Sequence, residues 1–155
     1  MKETSLSMLF YILTLLVIAI DQLAKLWVRL HLEIGESIPI WDGVLDFTRY
    51  ENRGIAFSLL QGYGRLFVPV AIAVIAALIY CRRQGMLHSL LGQIGAALLA
   101  GGAAGNALDR LLFSQVTDFI SFRSSSGILN LADYFIHAGL LLLIVHLFLP
   151  EKKRT

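Results

Sequence analysis

Four long apolar blocks constrain this chain more than any other feature: about Leu6 to Ile20 and on toward Val28, Leu66 to Cys81, Leu87 to Ala104, and about Leu131 to Leu149. A helix needs about 20 residues to cross the hydrocarbon of a bilayer, with a range of about 17 to 25. Each block therefore reads as a membrane span, with expected limits of about 6–28, 64–82, 87–106 and 131–149. The second is short, and tilt or a few flanking residues must complete it. Hydrophobic residues make up 57% of the 155, above the roughly one-half usual for soluble domains. The expected architecture is an integral membrane protein, mainly α, a four-transmembrane-helix bundle forming one domain over residues 1–155. The first block also has the lysine and apolar run of a secretory signal peptide. "VIAIDQLAKLW" offers no small-x-small cleavage site, however, so it reads as an uncleaved helix.

Charge sets the expected orientation. Lys2 precedes the first span, "CRRQG" joins the second to the third, and "EKKRT" closes the chain. Dense Lys/Arg clusters in short connections stay on the cytoplasmic side. Both termini are then cytoplasmic, and the connections at about 29–65 and 106–130 face outward. Asp21, Asn106, Asp109, Arg110, Asp118, Asn130 and Asp133 all fall near that outer face. Basic residues are not interleaved with aromatics, which argues against nucleic-acid binding. Cys81 stands alone, with no disulfide partner and no metal motif.

The first outer connection, "SIPIWDGVLDFTRYENRGIAFSLL", alternates apolar and polar residues around an Asp42-Gly43 turn signal. It predicts a small periplasmic β segment over about 36–60, lying on the membrane with Trp27, Trp41 and Tyr50 at headgroup level. The second, "NALDRLLFSQVTDFISF", has near-helical apolar spacing and predicts a short interfacial helix.

Two aspartates lie among apolar residues. Asp133 opens the fourth span, where a carboxylate caps a helix. Asp118, flanked by Val116, Phe119 and Ile120, is poorly placed for a solvated cap. If the two meet they share one proton, and the pair can deprotonate a water while polarising a carbonyl. A proton relay in a transporter would use the same residue types. Gly101 and Gly105 form a small-xxx-small packing motif. Asn106 and Arg110, four residues on from each other, share a helix face beside the carboxylates, although Arg110 also fits as an interfacial snorkel. Asp21 and Lys25, also at i and i+4, read as a helix-surface ion pair. Asn52 precedes Gly54 in a turn. His137 follows Asp133 by one turn, and with Asp118 a zinc site is conceivable, but no HExxH is present. A serine nucleophile lacks a supporting motif, with Lys25 as the only lysine on the outer side.

Five blocks in order closely resemble the type II signal peptidase (prolipoprotein signal peptidase) family of the bacterial inner membrane: "DQLAK" (Asp21 to Lys25), "NRGIAFS" (Asn52 to Ser58), "GGAAGNALDR" (Gly101 to Arg110), "VTDFI" (Val116 to Ile120) and "NLADYFI" (Asn130 to Ile136). The resemblance implies an aspartic endopeptidase with no metal or other cofactor and with Asp118 and Asp133 as its catalytic pair. It implies that Asn52, Asn106, Arg110 and Asn130 line and support the site, and that Asp21 stabilises it. The implied substrate is a prolipoprotein already carrying diacylglyceryl on its lipobox cysteine, cleaved just before that cysteine. Membrane lipid is the other implied partner, and the expected state is a monomer open laterally to lipid. The chain departs from the family pattern at Leu129, Tyr134, Ile55 and His137, which bears on pocket shape rather than reaction class. Two rivals make different expectations. A transporter spreads ionisable groups through the bilayer depth, and a scaffold uses its polar residues only to bind helices together.

Overall fold

The computed structural model describes residues 2–54, 62–125 and 127–148. The chain runs α1 (Lys2–His31), β1 (Ser37–Trp41), β2 (Leu45–Asn52), a 3-10 turn (Gly64–Leu66), α2 (Phe67–Arg83), α3 (Leu90–Phe113), β3 (Val116–Phe122), β4 (Ile128–Leu129) and α4 (Leu131–Leu147). Met8–His31 and Gly64–Arg83 are long and apolar enough to cross a membrane. Their outer faces carry bare apolar side chains, among them Leu15, Leu23, Leu30, Val70 and Ile72, while Asp21, Lys25, Asn106, Asp109, Asp118 and Asn130 are buried. Apolar outside and polar inside is the arrangement a hydrocarbon solvent favours, because a buried polar group there must find its partner within the protein.

α3 is the central helix, packed against α1, α2 and α4. Its sequence explains why. A Cβ at Gly101 would sit 2.6 Å from Val17 Cγ1, and one at Gly105 would sit 2.5 Å from Asp21 Oδ2, so this pair faces α1. Gly102 faces α4, where a Cβ would lie 2.5 Å from the Ala132 carbonyl oxygen. The small residues allow two neighbours to approach on two faces. Ser89 caps the helix by accepting from the Gly92 N–H (3.0 Å), and Ser114, left-handed at φ 63°, ends it.

The end of the bundle at the α1 and α3 C-termini is closed by an antiparallel sheet in the order β1-β2-β3-β4. The Asp42-Gly43 hairpin forms as the sequence predicts, with Gly43 at φ +74° and the Val44 N–H donating to the Trp41 carbonyl (2.9 Å). Val28 and Leu32 at the α1 end pack with Phe119 and Ile120 of β3. The predicted β segment extended to residue 60, but residues 55–60, including Ile55, lie outside the described residues.

The interfacial helix expected in the second connection is not there. Residues 106–113 are instead the last two turns of α3, and Val116–Phe122 is a central strand. The near-helical spacing came from Leu108, Leu111, Leu112 and Phe113, exposed side chains on the α3 end. The strand itself is buried on both faces from Val116 to Ile120, which removes the alternation that would have revealed it.

Candidate active site

The β3 strand and the first turn of α4 bring Asp118 and Asp133 to one cavity of about 500 Å³. Tyr50, Asn52, Asn106, Arg110, Asn130 and His137 also line it. Every carboxylate oxygen of the two aspartates already receives an N–H. Asn52 Nδ2 donates to Asp118 Oδ2 (3.0 Å), and Asn130 Nδ2 donates to Asp118 Oδ1 (2.6 Å). Asn106 Nδ2 donates to Asp133 Oδ1 (2.9 Å), and the Asn130 backbone N–H donates to Asp133 Oδ2 (3.1 Å).

Each amide is itself held. Asn52 Oδ1 accepts from the Gly54 N–H (2.9 Å), a local turn that fixes which face of the carboxamide meets Asp118. Asn130 is the N-cap of α4, its Oδ1 accepting from the Asp133 N–H (3.1 Å), and with Asp133 it forms a reciprocal capping box. Asn130 thus touches both aspartates, and the helix start suits a carboxylate at Asp133. The capping role read from the sequence is therefore present at Asp133, which also lines the cavity with Asp118.

Asp118 lies outside the helices on its strand, only 3% exposed. Burial, and then the Asp133 charge beside it, push its carboxyl up to about 7. The amides of Asn130 and Asn52 act in the opposite direction by supporting the anion.

Arg110 Nη2 donates to the Gly54 carbonyl (3.2 Å) and Nη1 to the Asn106 carbonyl (3.4 Å). Its buried Nε has no hydrogen-bond partner among the described residues. The side chain turns inward to the cavity rather than snorkelling.

Asp21 does not reach the cavity. Its Oδ1 accepts from the Ala132 N–H (2.9 Å), satisfying one of the free N–H groups at the α4 start. Its Oδ2 meets Lys25 Nζ at 2.9 Å. The surface ion pair expected here is in fact fully buried, because Gly105 lets α3 close over it. Lys25 also contacts Asp109 Oδ2 (3.1 Å) and Asn106 Oδ1 (2.8 Å). Asp109 was grouped by the sequence with the polar residues near one membrane face but was given no role. It differs from other polar residues of α3 only through its tertiary partners Lys25, Arg29 and the Thr117 N–H.

Among the described residues, no group of three or more His, Cys, Asp or Glu side chains could hold a metal ion. His137 lines the cavity, but it completes no ligand set with the aspartates. An amide-saturated carboxylate pair in a buried cleft is suited to proton transfer with a bound water.

Residues 13–149 match the family model described as signal peptidase (SPase) II. The chain is 40% identical over 153 residues to the lipoprotein signal peptidase of Geobacillus thermodenitrificans, covering 94% of this chain and 95% of that one. It is 36% identical over 149 residues to that of Listeria welshimeri, with coverage of 94% and 97%. Two solved bacterial membrane enzymes, determined by the in meso method, share the fold. One superposes with a TM-score of 0.85 at 28% identity, covering 94% of this chain and 91% of the other. The second gives 0.81 at 30% identity, covering 94% of each. With the family model matching most of its length and a relative 40% identical over 94% of it, the chain belongs to the signal peptidase II family.

Proposed function

We propose that this protein, a membrane-embedded aspartic endopeptidase, removes the signal peptide from prolipoproteins, with Asp118 and Asp133 as its catalytic pair. One observation carries the assignment of the pair: two aspartates from different elements line one cavity, and amide N–H groups hold all four of their oxygens. Asn52, Asn106 and Asn130 orient the pair. Arg110, which lines the cavity, is placed to balance the one negative charge of a singly protonated pair. Asp21 secures the helix turn that carries Asp133.

In this reading Asp118 holds the shared proton near neutral pH, since burial and the neighbouring charge both raise it. The pair draws a proton from water as that water adds to the scissile carbonyl, and the protonated carboxyl donates to the developing oxyanion. The two groups titrate as a unit.

The membrane arrangement completes the proposal. All 155 residues form one domain, its four helices all span the inner membrane, and both termini are cytoplasmic. The α1 C-terminus, the α2 N-terminus, the α3 C-terminus and the α4 N-terminus then share the outer side with the sheet. A diacylglyceryl group on the substrate cysteine would fix the scissile bond at that depth, just before the cysteine, and lower the entropic barrier to attack. A monomer keeps a lateral opening for the lipid.

The test is cleavage of a purified diacylglyceryl prolipoprotein by the parent, Asp118→Asn and Asp133→Asn proteins, each checked for folding by thermal unfolding in detergent. Both variants should remain folded and lose cleavage by several orders of magnitude. Efficient turnover by either one would defeat the assignment.

A further inference from the structure

Among the described residues Lys25 is the one fully buried lysine, and nothing in the proposed chemistry uses it. Its ammonium touches three oxygens: Asp21 Oδ2 at 2.9 Å, Asp109 Oδ2 at 3.1 Å and Asn106 Oδ1 at 2.8 Å. Two of these are counter-ions. The third is a neutral carboxamide whose other end faces Asp133. An ammonium only donates, so the Asn106 atom against it has to be the oxygen. The amide nitrogen is then forced to the opposite side, where it donates to Asp133 Oδ1 at 2.9 Å. Without the cation only Asp133 chooses between the two ends of the Asn106 side chain, and whenever its carboxyl carries the shared proton an O–H can donate to a flipped amide oxygen instead.

We infer that Lys25 is a positioning residue for the reaction, acting through Asn106 to keep an N–H on Asp133 Oδ1. The inference rests on the proposed role of Asp133. The surrounding charges fit it. Lys25 and Arg29 face Asp21 and Asp109, two cations against two anions, so most of the charge is balanced locally, and the Lys25 ammonium has only a minor direct effect on Asp118, smaller than those of burial, Asp133 and the two amides. Its influence passes by orientation, along a continuous path from Lys25 to Asn106, Asp133, Asn130 and Asp118.

Removing Lys25 alone would strand the buried Asp21, whose one cationic partner it is among the described residues, and the protein could fail to fold for that reason. The test therefore starts from Asp21→Asn, which keeps an oxygen for the Ala132 N–H and leaves Asp109 with Arg29. Lys25→Met is added to it, with and without Asn106→Ala. Thermal unfolding in detergent, and kcat and KM on a diacylglyceryl prolipoprotein, are measured for all four proteins. With Asn106 present, adding Lys25→Met should lower kcat about tenfold or more and leave KM within about twofold. With Asn106→Ala it should lower kcat no further, since the two residues act in series. An equal loss in both backgrounds, an unchanged kcat, or loss of folded protein on adding Lys25→Met would assign Lys25 a purely structural role and overturn the inference. Asp133→Asn is run alongside. If that variant still cleaves, the catalytic assignment fails, whereas additivity with an inactive Asp133→Asn sinks only the role of Lys25.

Discussion

Gly102→Ala offers a sharp test of how the helix packing serves the site. The new Cβ would stand 2.5 Å from the Ala132 carbonyl oxygen and 2.9 Å from Ile136 Cγ1. Ordinary contact begins at 3.4 Å, so the α4 backbone must retreat by 3.4 − 2.5 = 0.9 Å. No rotamer change relieves this, because the obstructing atom is main chain. Ala132 directly precedes Asp133, and the turn is tethered on its other sides by Asp21 and Asn106. Overpacking of this kind costs about 1–3 kcal/mol. Replacing a helical glycine by alanine returns about 1 kcal/mol. The net loss of stability is then about 0–2 kcal/mol, a modest fall in Tm. The catalytic cost is larger, since a displacement near 1 Å can lower turnover about 100-fold. Gly92→Ala is the comparison. Its Cβ meets the His146 ring at 3.0 Å, a milder crowding against a side chain at the opposite end of α3. Thermal unfolding in detergent and kcat on a prolipoprotein should show Gly102→Ala folded and about 100-fold slow, with Gly92→Ala destabilised but close to parental turnover. Parental kcat in Gly102→Ala, or an equal loss in both, would refute the reasoning.

Two further outcomes follow from the geometry. Asp118 binds a proton up to about pH 7 when folded but only to about 4 when unfolded. The folded state therefore holds more protons between those values, and stability contributed by this group falls as pH rises through that window. Asp118→Asn should flatten the decline in Tm between about pH 4 and 7, and an unaltered slope would contradict it. Asn130→Ser should keep the α4 cap, with stability within about 1 kcal/mol of the parent, yet lose the 2.6 Å bond to Asp118 and most of the activity. Asn130→Ala should lose both, and equal Tm values for the two variants would argue against the capping role.

The apolar runs of α1 and α2 were legible because a lipid-facing helix announces itself through composition alone. The first hairpin was legible through Asp42-Gly43, a local signal. β3 was not. Its residues Val116, Thr117, Asp118, Phe119 and Ile120 are buried on both faces and pair with a strand some 70 positions earlier, which no local pattern records. The aspartates could be nominated from their odd setting among apolar residues and Asn106 from the helix face it shares with Arg110, whereas Asn52 and Asn130 came only from the family resemblance. Their pairwise contacts could not, since Asn52 reaches Asp118 across 66 positions. Asp21 and Lys25 showed their i, i+4 spacing but not their burial, which depends on Gly105 of another helix.

The register of β2 against β3 has its own consequence. Phe47 pairs with Ile120 and Tyr50 with Asp118, three steps on one strand for two on the other. This extra residue is what turns Asn52 toward Asp118 and sends Arg49 to the far side, where it donates to the Arg29 and Leu32 carbonyls at the α1 end. Lose one position between Phe47 and Asn52, and a guanidinium is delivered where a carboxamide is needed. Across evolutionary time the hairpin tip at Asp42 and Gly43 can lengthen or shorten freely, while the few residues after Phe47 are a counted interval in which substitution is tolerable but an insertion or deletion is not.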